Sequence, residues 1–257
     1  MDGRLLLVAL ASLFALVFLM NRAETSDAAP GVAGDATVAA VHASAPLALR
    51  VLCFGDSLTE GHMGNAALPY MSSYAITLEA SLEEALGRAT ELEVVEKGRS
   101  GELVSDMPSR LEAVLSSRER SRKLPFDLMI LLGGTNDAGR GRDAADIADN
   151  IEALHGVARQ HGARSVVVTV PDLRVLVDGR DTPYMKTIDA VNERLRTFAA
   201  ACAPECALFD LARQLPQTEE TSALFASDGV HFTSLGYSVI GKQLADVVLA
   251  AYHLASP

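Results

Sequence analysis

The chain has few cysteines, no tryptophan and a minority of positive charges. Its 257 residues include three cysteines, too few for a disulfide-stapled scaffold and without the second Cys or His pair that a zinc site needs. Lys and Arg number 22 against 33 Asp and Glu, so the net charge is -11. A phosphate-binding surface needs clustered Lys and Arg, and we therefore expect no nucleic-acid partner.

The three cysteines call for different expectations. Cys53 lies in an apolar run and is expected to pack as a small hydrophobic residue. Cys202 and Cys206 are separated only by Ala-Pro-Glu. They could pair in an oxidising compartment, although so short a loop restricts the geometry. The sequence leaves their pairing open.

The first 46 residues read as a targeting segment and a tether. Residues 5–20 form an apolar run between Arg4 and Arg22, with Ser12 as its one polar residue. As a helix the run would measure about 24 Å, against about 30 Å for the bilayer core, so it is long for the apolar region of a signal peptide and short for a membrane span. We expect residues 1–22 to be a signal peptide or, in slight preference, a retained anchor. Residues 23–46 are rich in Ala, Gly, Ser and Asp and are expected to be a flexible linker. The domain at 47–257 would then lie in the secretory pathway, membrane-anchored or secreted.

One stretch organises the remaining sequence. The apolar run at 47–54 stops at Gly55, Asp56 and Ser57, which is typical of a buried strand reaching its carboxyl end. In an open α/β sheet, ligands bind in the crevice outside those ends. Ser57 is therefore presented where chemistry would occur, but its hydroxyl needs a base to become a nucleophile.

A base and an amide donor follow later in the chain. Asp228 and His231 are three residues apart, just before a helical pattern at 234–252. A tight turn there would set Asp228 against one imidazole nitrogen and leave the other for Ser57. Asn136 follows another apolar run that breaks into glycines, and its amide could reach a developing oxyanion.

These stretches together resemble the GDSL, or SGNH, hydrolase family. Four sequence blocks support the resemblance. Three of them are Gly-Asp-Ser-Leu at 55–58, Gly-Thr-Asn-Asp at 134–137 and Asp-Gly-Val-His at 228–231. The fourth is a glycine after the second strand, for which Gly101 is the better match. The resemblance implies a Ser57, His231 and Asp228 triad. It also implies an oxyanion hole made by the backbone N–H groups of Ser57 and Gly101 and the Asn136 amide, with no metal or organic cofactor. The Gly-x-Ser-x-Gly elbow of ordinary α/β-hydrolases is absent around Ser57.

Each residue also has a structural explanation when it is considered alone. Ser57 could cap a helix, Asp228 could be an acid at a helix start, and Asn136 could tie loops together. Of the remaining histidines, only His62 lies in a loop close to Ser57 in sequence, where it could line the site. His231 alone has an acid at a spacing that can orient it.

Strand and helix patterns alternate along the domain. Strand-like runs occur at 47–54, 92–96, 126–132, 164–170 and 207–211, and helical patterns at 70–86, 105–120, 143–161, 184–201 and 234–252. This alternation predicts a parallel, doubly wound sheet of five strands in a flavodoxin-like three-layer α/β/α sandwich. The family resemblance implies the same fold.

The expected function is hydrolysis of a carboxylic ester through an acyl-enzyme on Ser57. One alternative is transfer of the acyl group to an alcohol other than water, and another is a non-catalytic binding module with the same fold. The resemblance implies a small-molecule, lipid or glycan ester as substrate, and the predicted anchor weakly favours a lipid or cell-surface ester. The sequence does not specify the acyl chain or the oligomeric state.

Overall fold

A computed structural model describes residues 47–64, 72–87, 90–117, 125–173 and 182–253. The predicted targeting segment at 1–22 and the linker at 23–46 lie outside the described residues. Within the described ranges, no helix combines the length and the apolar character needed to cross a bilayer.

Five parallel strands form one sheet, as predicted. Their order is β2-β1-β3-β4-β5, so β1 is flanked by β2 and β3. The strands are β1 (Leu47–Gly55), β2 (Thr90–Gly98), β3 (Leu128–Leu132), β4 (Arg164–Val168) and β5 (Cys206–Phe209). Parallel pairing with crossover helices confirms the doubly wound fold.

Helices cover both faces of the sheet. They are α1 (Ser57–Glu60), α2 (Tyr74–Leu86), α3 (Pro108–Ser116), α4 (Thr135–Gly139), α5 (Ala144–Gln160), α6 (Pro183–Cys202), α7 (Leu211–Gln214) and α8 (Ser234–His253), with 3₁₀ turns at Val104–Asp106 and Ser222–Leu224. Side chains of β1 alternate between two hydrophobic cores. Val51 and Cys53 pack with α2 and α8, whereas Leu52 and Phe54 pack with α3, α5 and α6.

The long elements match the sequence prediction, and their ends differ for local reasons. Ser73 caps the Ala75 N–H with its hydroxyl, so the helix predicted from residue 70 begins at Tyr74. The helix predicted at 105–120 is a 3₁₀ turn followed by α3, which starts at Pro108, a residue suited to a first helical turn.

Cys202 and Cys206 form a disulfide that joins the end of α6 to the start of β5, which answers the question left open by the sequence. Their Cα atoms are 5.3 Å apart, within the usual range for a disulfide. Cys53 remains a buried thiol in the core, and burial raises its pKa well above the ordinary value.

Candidate active site

Three neighbouring strands end at the same edge of the sheet, and a predicted site residue follows each of them. Gly55 of β1 is paired with Gly98 of β2 and with Leu132 of β3. The segments that follow these strands carry Ser57 in α1, Gly101 in a loop and Asn136 in α4. The parallel pairing therefore brings together residues that are up to 79 positions apart in the sequence.

Ser57 is the first residue of the short helix α1 and is 8% exposed. Asp56 precedes it as the N-cap, and its Oδ1 accepts from the Leu58 N–H at 3.0 Å. The end of β2 packs tightly beneath α1, because a Cβ at Gly98 would lie 2.1 Å from the Glu60 nitrogen. Glycine at this position allows the two backbones to meet and holds the serine turn against the sheet.

Asp228, His231 and Ser57 form a continuous chain of hydrogen-bonding contacts. His231 Nδ1 is 2.7 Å from Asp228 Oδ2, and His231 Nε2 is 3.0 Å from Ser57 Oγ. The imidazole is 15% exposed and the carboxylate 31%. This is the arrangement that the sequence predicted from a three-residue spacing.

Backbone N–H groups hold the Asp228 carboxylate in place. Its Oδ1 accepts from the N–H groups of Val230 and His231, both at 3.0 Å. Partial burial acts to raise the pKa of Asp228, but the hydrogen bonds from His231 and Val230 outweigh it, and the pKa lies below its ordinary value. The carboxylate is thus held charged, and it can stabilise a protonated imidazole.

His62 lies beside this pair, as its loop position suggested. Its ring centroid is 4.5 Å from that of His231. His62 Nδ1 accepts from the Gly64 N–H at 3.0 Å, and the Tyr237 hydroxyl donates to the His62 carbonyl at 2.6 Å. The His62 loop therefore forms one wall of the site.

The predicted oxyanion donors differ in whether they already donate hydrogen bonds. Neither the Ser57 nor the Gly101 backbone N–H donates a hydrogen bond within the described residues. Gly101 is exposed and has a φ of 76°, which favours glycine. The Asn136 amide is 3.1 Å from the Glu102 carbonyl and 3.4 Å from Asp56 Oδ2. Its nitrogen therefore already has two acceptors nearby.

Asp56 is fully buried next to Ser57. Burial raises its pKa to about 7, and the negative charges of Asp137 and Glu102 add to this effect, against the Leu58 hydrogen bond that lowers the pKa. The contact between Asp56 and Asn136 was not predicted from the sequence, because the two residues are 80 positions apart.

Two further residues around the site were missed from the sequence, Glu102 and Arg110. Both lie in segments where the sequence pattern predicts that a charged side chain faces solvent, and neither belongs to a recognised motif.

Within the described residues, no group of three or more His, Cys, Asp or Glu side chains is placed to hold a metal ion.

The sequence profile of the GDSL-like lipase/acylhydrolase family matches residues 53–239, which contain every residue of the site. The chain belongs to this family. It is a carboxylic ester hydrolase, as the four sequence blocks predicted. A search of curated proteins gives no match to this hydrolase.

Solved structures show the same fold. A lipase/acylhydrolase from Enterococcus faecalis is 22% identical with a TM-score of 0.60, over 77% of this hydrolase and 94% of that chain. A carbohydrate acetylesterase from Sinorhizobium meliloti is 22% identical with a TM-score of 0.61, over 79% and 99%. The M. smegmatis aryl esterase is 23% identical with a TM-score of 0.59, also over 79% and 99%. These structures share the sandwich architecture of the hydrolase.

Proposed function

We propose that this hydrolase cleaves carboxylic esters through an acyl-enzyme on Ser57. The observation that carries the proposal is the contact chain from Asp228 through His231 to Ser57, with distances of 2.7 and 3.0 Å. Both distances are within the reach required for a base and its orienting group.

The reaction proceeds in two halves. Ser57 Oγ attacks the ester carbonyl while His231 Nε2 takes the hydroxyl proton, and the tetrahedral intermediate collapses as His231 returns that proton to the leaving alcohol. Water then attacks the acyl-enzyme, again giving a proton to His231, which passes it to Ser57 Oγ as the acid departs. Asp228 keeps Nδ1 protonated and stabilises the imidazolium in both halves.

The negative oxygen of each intermediate is bound by three donors in this proposal. The Ser57 and Gly101 N–H groups have no partner among the described residues and can accept this task without losing a bond. The Asn136 amide would turn from its longer contact, at 3.4 Å to Asp56, while it keeps the 3.1 Å bond to Glu102. Such donors stabilise charge that develops only in the transition state.

The proposed substrate is a small-molecule ester, with lipid and glycan esters as the alternatives. Two structures of the same fold are named a carbohydrate acetylesterase and an aryl esterase, which supports testing these two classes first. A panel of p-nitrophenyl esters of increasing acyl length, together with acetylated saccharides, would rank them. Added alcohols would reveal acyl transfer as an ester product in place of the free acid.

A fluorophosphonate probe tests the nucleophile directly. We expect one label per chain, located at Ser57 by peptide mapping, and no label and no esterase activity in Ser57→Ala. Ser234→Ala is a matched control, because this exposed serine lies three residues after His231 and has no role in the proposed chemistry. Labelling of the Ser57→Ala protein at another serine would overturn the assignment, and an unlabelled, inactive wild type would favour a non-catalytic binding module.

We also propose that the hydrolase works in the secretory pathway, tethered by residues 1–22 or released from them. The Cys202–Cys206 disulfide supports this placement, because disulfides persist in oxidising compartments.

A further inference from the structure

Arg110, on α3, lies beneath the loop that carries Gly101. Its Nε is 2.9 and 3.0 Å from the two carboxylate oxygens of Glu102, and its Nη2 also bonds to Glu102. The guanidinium lies 3.9 Å from the ring centroid of Phe54. The side chains of Arg110 and Glu102 are only 14% and 5% exposed, so this is a mostly buried ion pair.

The same guanidinium bonds to two strand ends. Nη2 donates to the Gly55 carbonyl at 3.0 Å, and Nη1 donates to the Lys97 carbonyl at 2.8 Å. Gly55 is two residues before Ser57. Lys97 and Glu102 bracket the loop that contains Gly101.

Glu102 continues the connection to the third donor. Its backbone carbonyl accepts from the Asn136 amide at 3.1 Å. One guanidinium is therefore linked, by direct bonds or through Glu102, to each of the three segments that supply the proposed oxyanion donors.

We propose that Arg110 is a positioning residue that, with Glu102, sets the spacing of the oxyanion donors contributed by Ser57, Gly101 and Asn136. The inference rests on the proposed acyl-enzyme function. Arg110 does not touch the substrate and acts through the backbone of the donor segments. An error of about 1 Å in such a site can lower the rate about 100-fold.

Charge gives Arg110 a second effect in the same direction. Glu102 is adjacent to Gly101 in the chain and almost fully buried. Without Arg110, Glu102 would keep only its 3.5 Å contact with the Arg99 guanidinium, whose side chain is 64% exposed and screened by solvent. The negative charge of Glu102 would then be compensated less and would oppose the developing oxyanion. Neutralising that charge and fixing the loop both favour the transition state over the bound substrate.

The test compares three variants by kinetics on one aryl ester and by melting temperature. Arg110→Met removes the positive charge and the hydrogen bonds to Gly55, Lys97 and Glu102. Arg110→Lys keeps the charge, but an ammonium cannot bridge Gly55, Lys97 and Glu102 with the fork geometry of arginine. Arg196→Met is the matched control, because Arg196 forms a bidentate pair with Asp210 at 2.7 and 2.9 Å, with side chains 15% and 14% exposed, away from the donor loops.

We expect Arg110→Met to lower kcat about 10- to 100-fold, with KM within about threefold of wild type. Arg110→Lys should lower kcat about fivefold or more at a nearly unchanged melting temperature. Arg196→Met should lower the melting temperature and leave kcat of the folded enzyme within about twofold of wild type. An arylboronic acid, which forms a tetrahedral adduct on a serine nucleophile, should lose affinity in Arg110→Lys in proportion to kcat/KM.

Wild-type kcat in Arg110→Lys would overturn the inference, whether or not Arg110→Met folds. So would a loss of kcat no larger than that of Arg196→Met, or a loss that appears in KM alone. Provided that Ser57→Ala is inactive and unlabelled, these outcomes leave the proposed function intact. Turnover that survives in Ser57→Ala would overturn both proposals.

Discussion

Replacing Asn136 by alanine separates a catalytic role from a structural one. In the structure the Asn136 amide already contacts the Glu102 carbonyl and Asp56, so both roles are consistent with its position. The variant removes the amide and leaves the serine, the imidazole and the backbone donors in place.

The two roles predict different magnitudes. Losing two hydrogen bonds of about 1 kcal/mol each, one of them long at 3.4 Å, should lower stability by about 1–2 kcal/mol. For a domain of this size that corresponds to a fall of about 2–8 °C in melting temperature. Losing an oxyanion donor should lower kcat about 100- to 1,000-fold, or about 2.7–4 kcal/mol, with KM little changed.

Asn192→Ala is the matched control. Asn192 is 2% exposed, and its amide bonds to the N–H and the carbonyl of Val170, both at 2.8 Å. We expect it to lower the melting temperature at least as much as Asn136→Ala, because two buried backbone groups lose their partner. Its kcat should stay near that of the wild type.

The assay is steady-state hydrolysis of an aryl ester, normalised to active sites titrated with the fluorophosphonate probe. The stoichiometry of labelling should remain one, and its rate should fall with kcat. A lowered melting temperature with kcat within about threefold of wild type would refute the catalytic role and leave Asn136 as a residue that ties loops together.

Two further predictions concern stability and location. Because the pKa of Asp56 is raised to about 7 in the fold, its contribution to stability is fully present below its ordinary pKa near 3.9 and is lost as the pH rises through about 7. Asp56→Asn should therefore gain stability over wild type, by a few kcal/mol at most, between about pH 4 and pH 8 in urea unfolding, and a difference independent of pH would contradict the reasoning. The full-length chain should sediment with membranes and resist a carbonate wash if residues 1–22 are a retained anchor. Soluble protein starting after Ala23 or Ala28 would indicate cleavage, and cytosolic protein with Met1 intact would exclude both.

The location prediction depends mainly on the sequence, since residues 1–46 lie outside the described part of the chain. The apolar run at 5–20 and the composition of residues 23–46 carry it. The disulfide between Cys202 and Cys206 is the single tertiary observation that bears on it.

Several features were visible in the sequence because they depend on neighbours in the chain. Apolar runs that end at glycine indicated β1 and β3. A 3.6-residue period predicted a helix at 143–161, and α5 is found at Ala144–Gln160. The Asp228 to His231 spacing of three residues predicted their contact, because a single turn closes it.

The edge strand β2 and the short helices were harder to predict from the sequence. β2 extends over Thr90–Gly98 rather than the predicted 92–96, because an edge strand that is partly exposed carries charged residues that interrupt the apolar pattern. The helices α1 and α4, of four and five residues, are too short to show a helical period.

The sequence by itself predicted the five strands, the long helices and the contact between Asp228 and His231, since periodicity and short spacings encode these. Tertiary structure decided what surrounds them. Arg110 meets Gly55 across 55 positions, and Asn136 meets Asp56 across 80. Such contacts depend on how strand ends align in the sheet and on which side chains are withdrawn from water together. Neither property is a local feature of the chain, so the buried ion pair between Arg110 and Glu102, behind the proposed oxyanion donors, became visible only in the folded molecule.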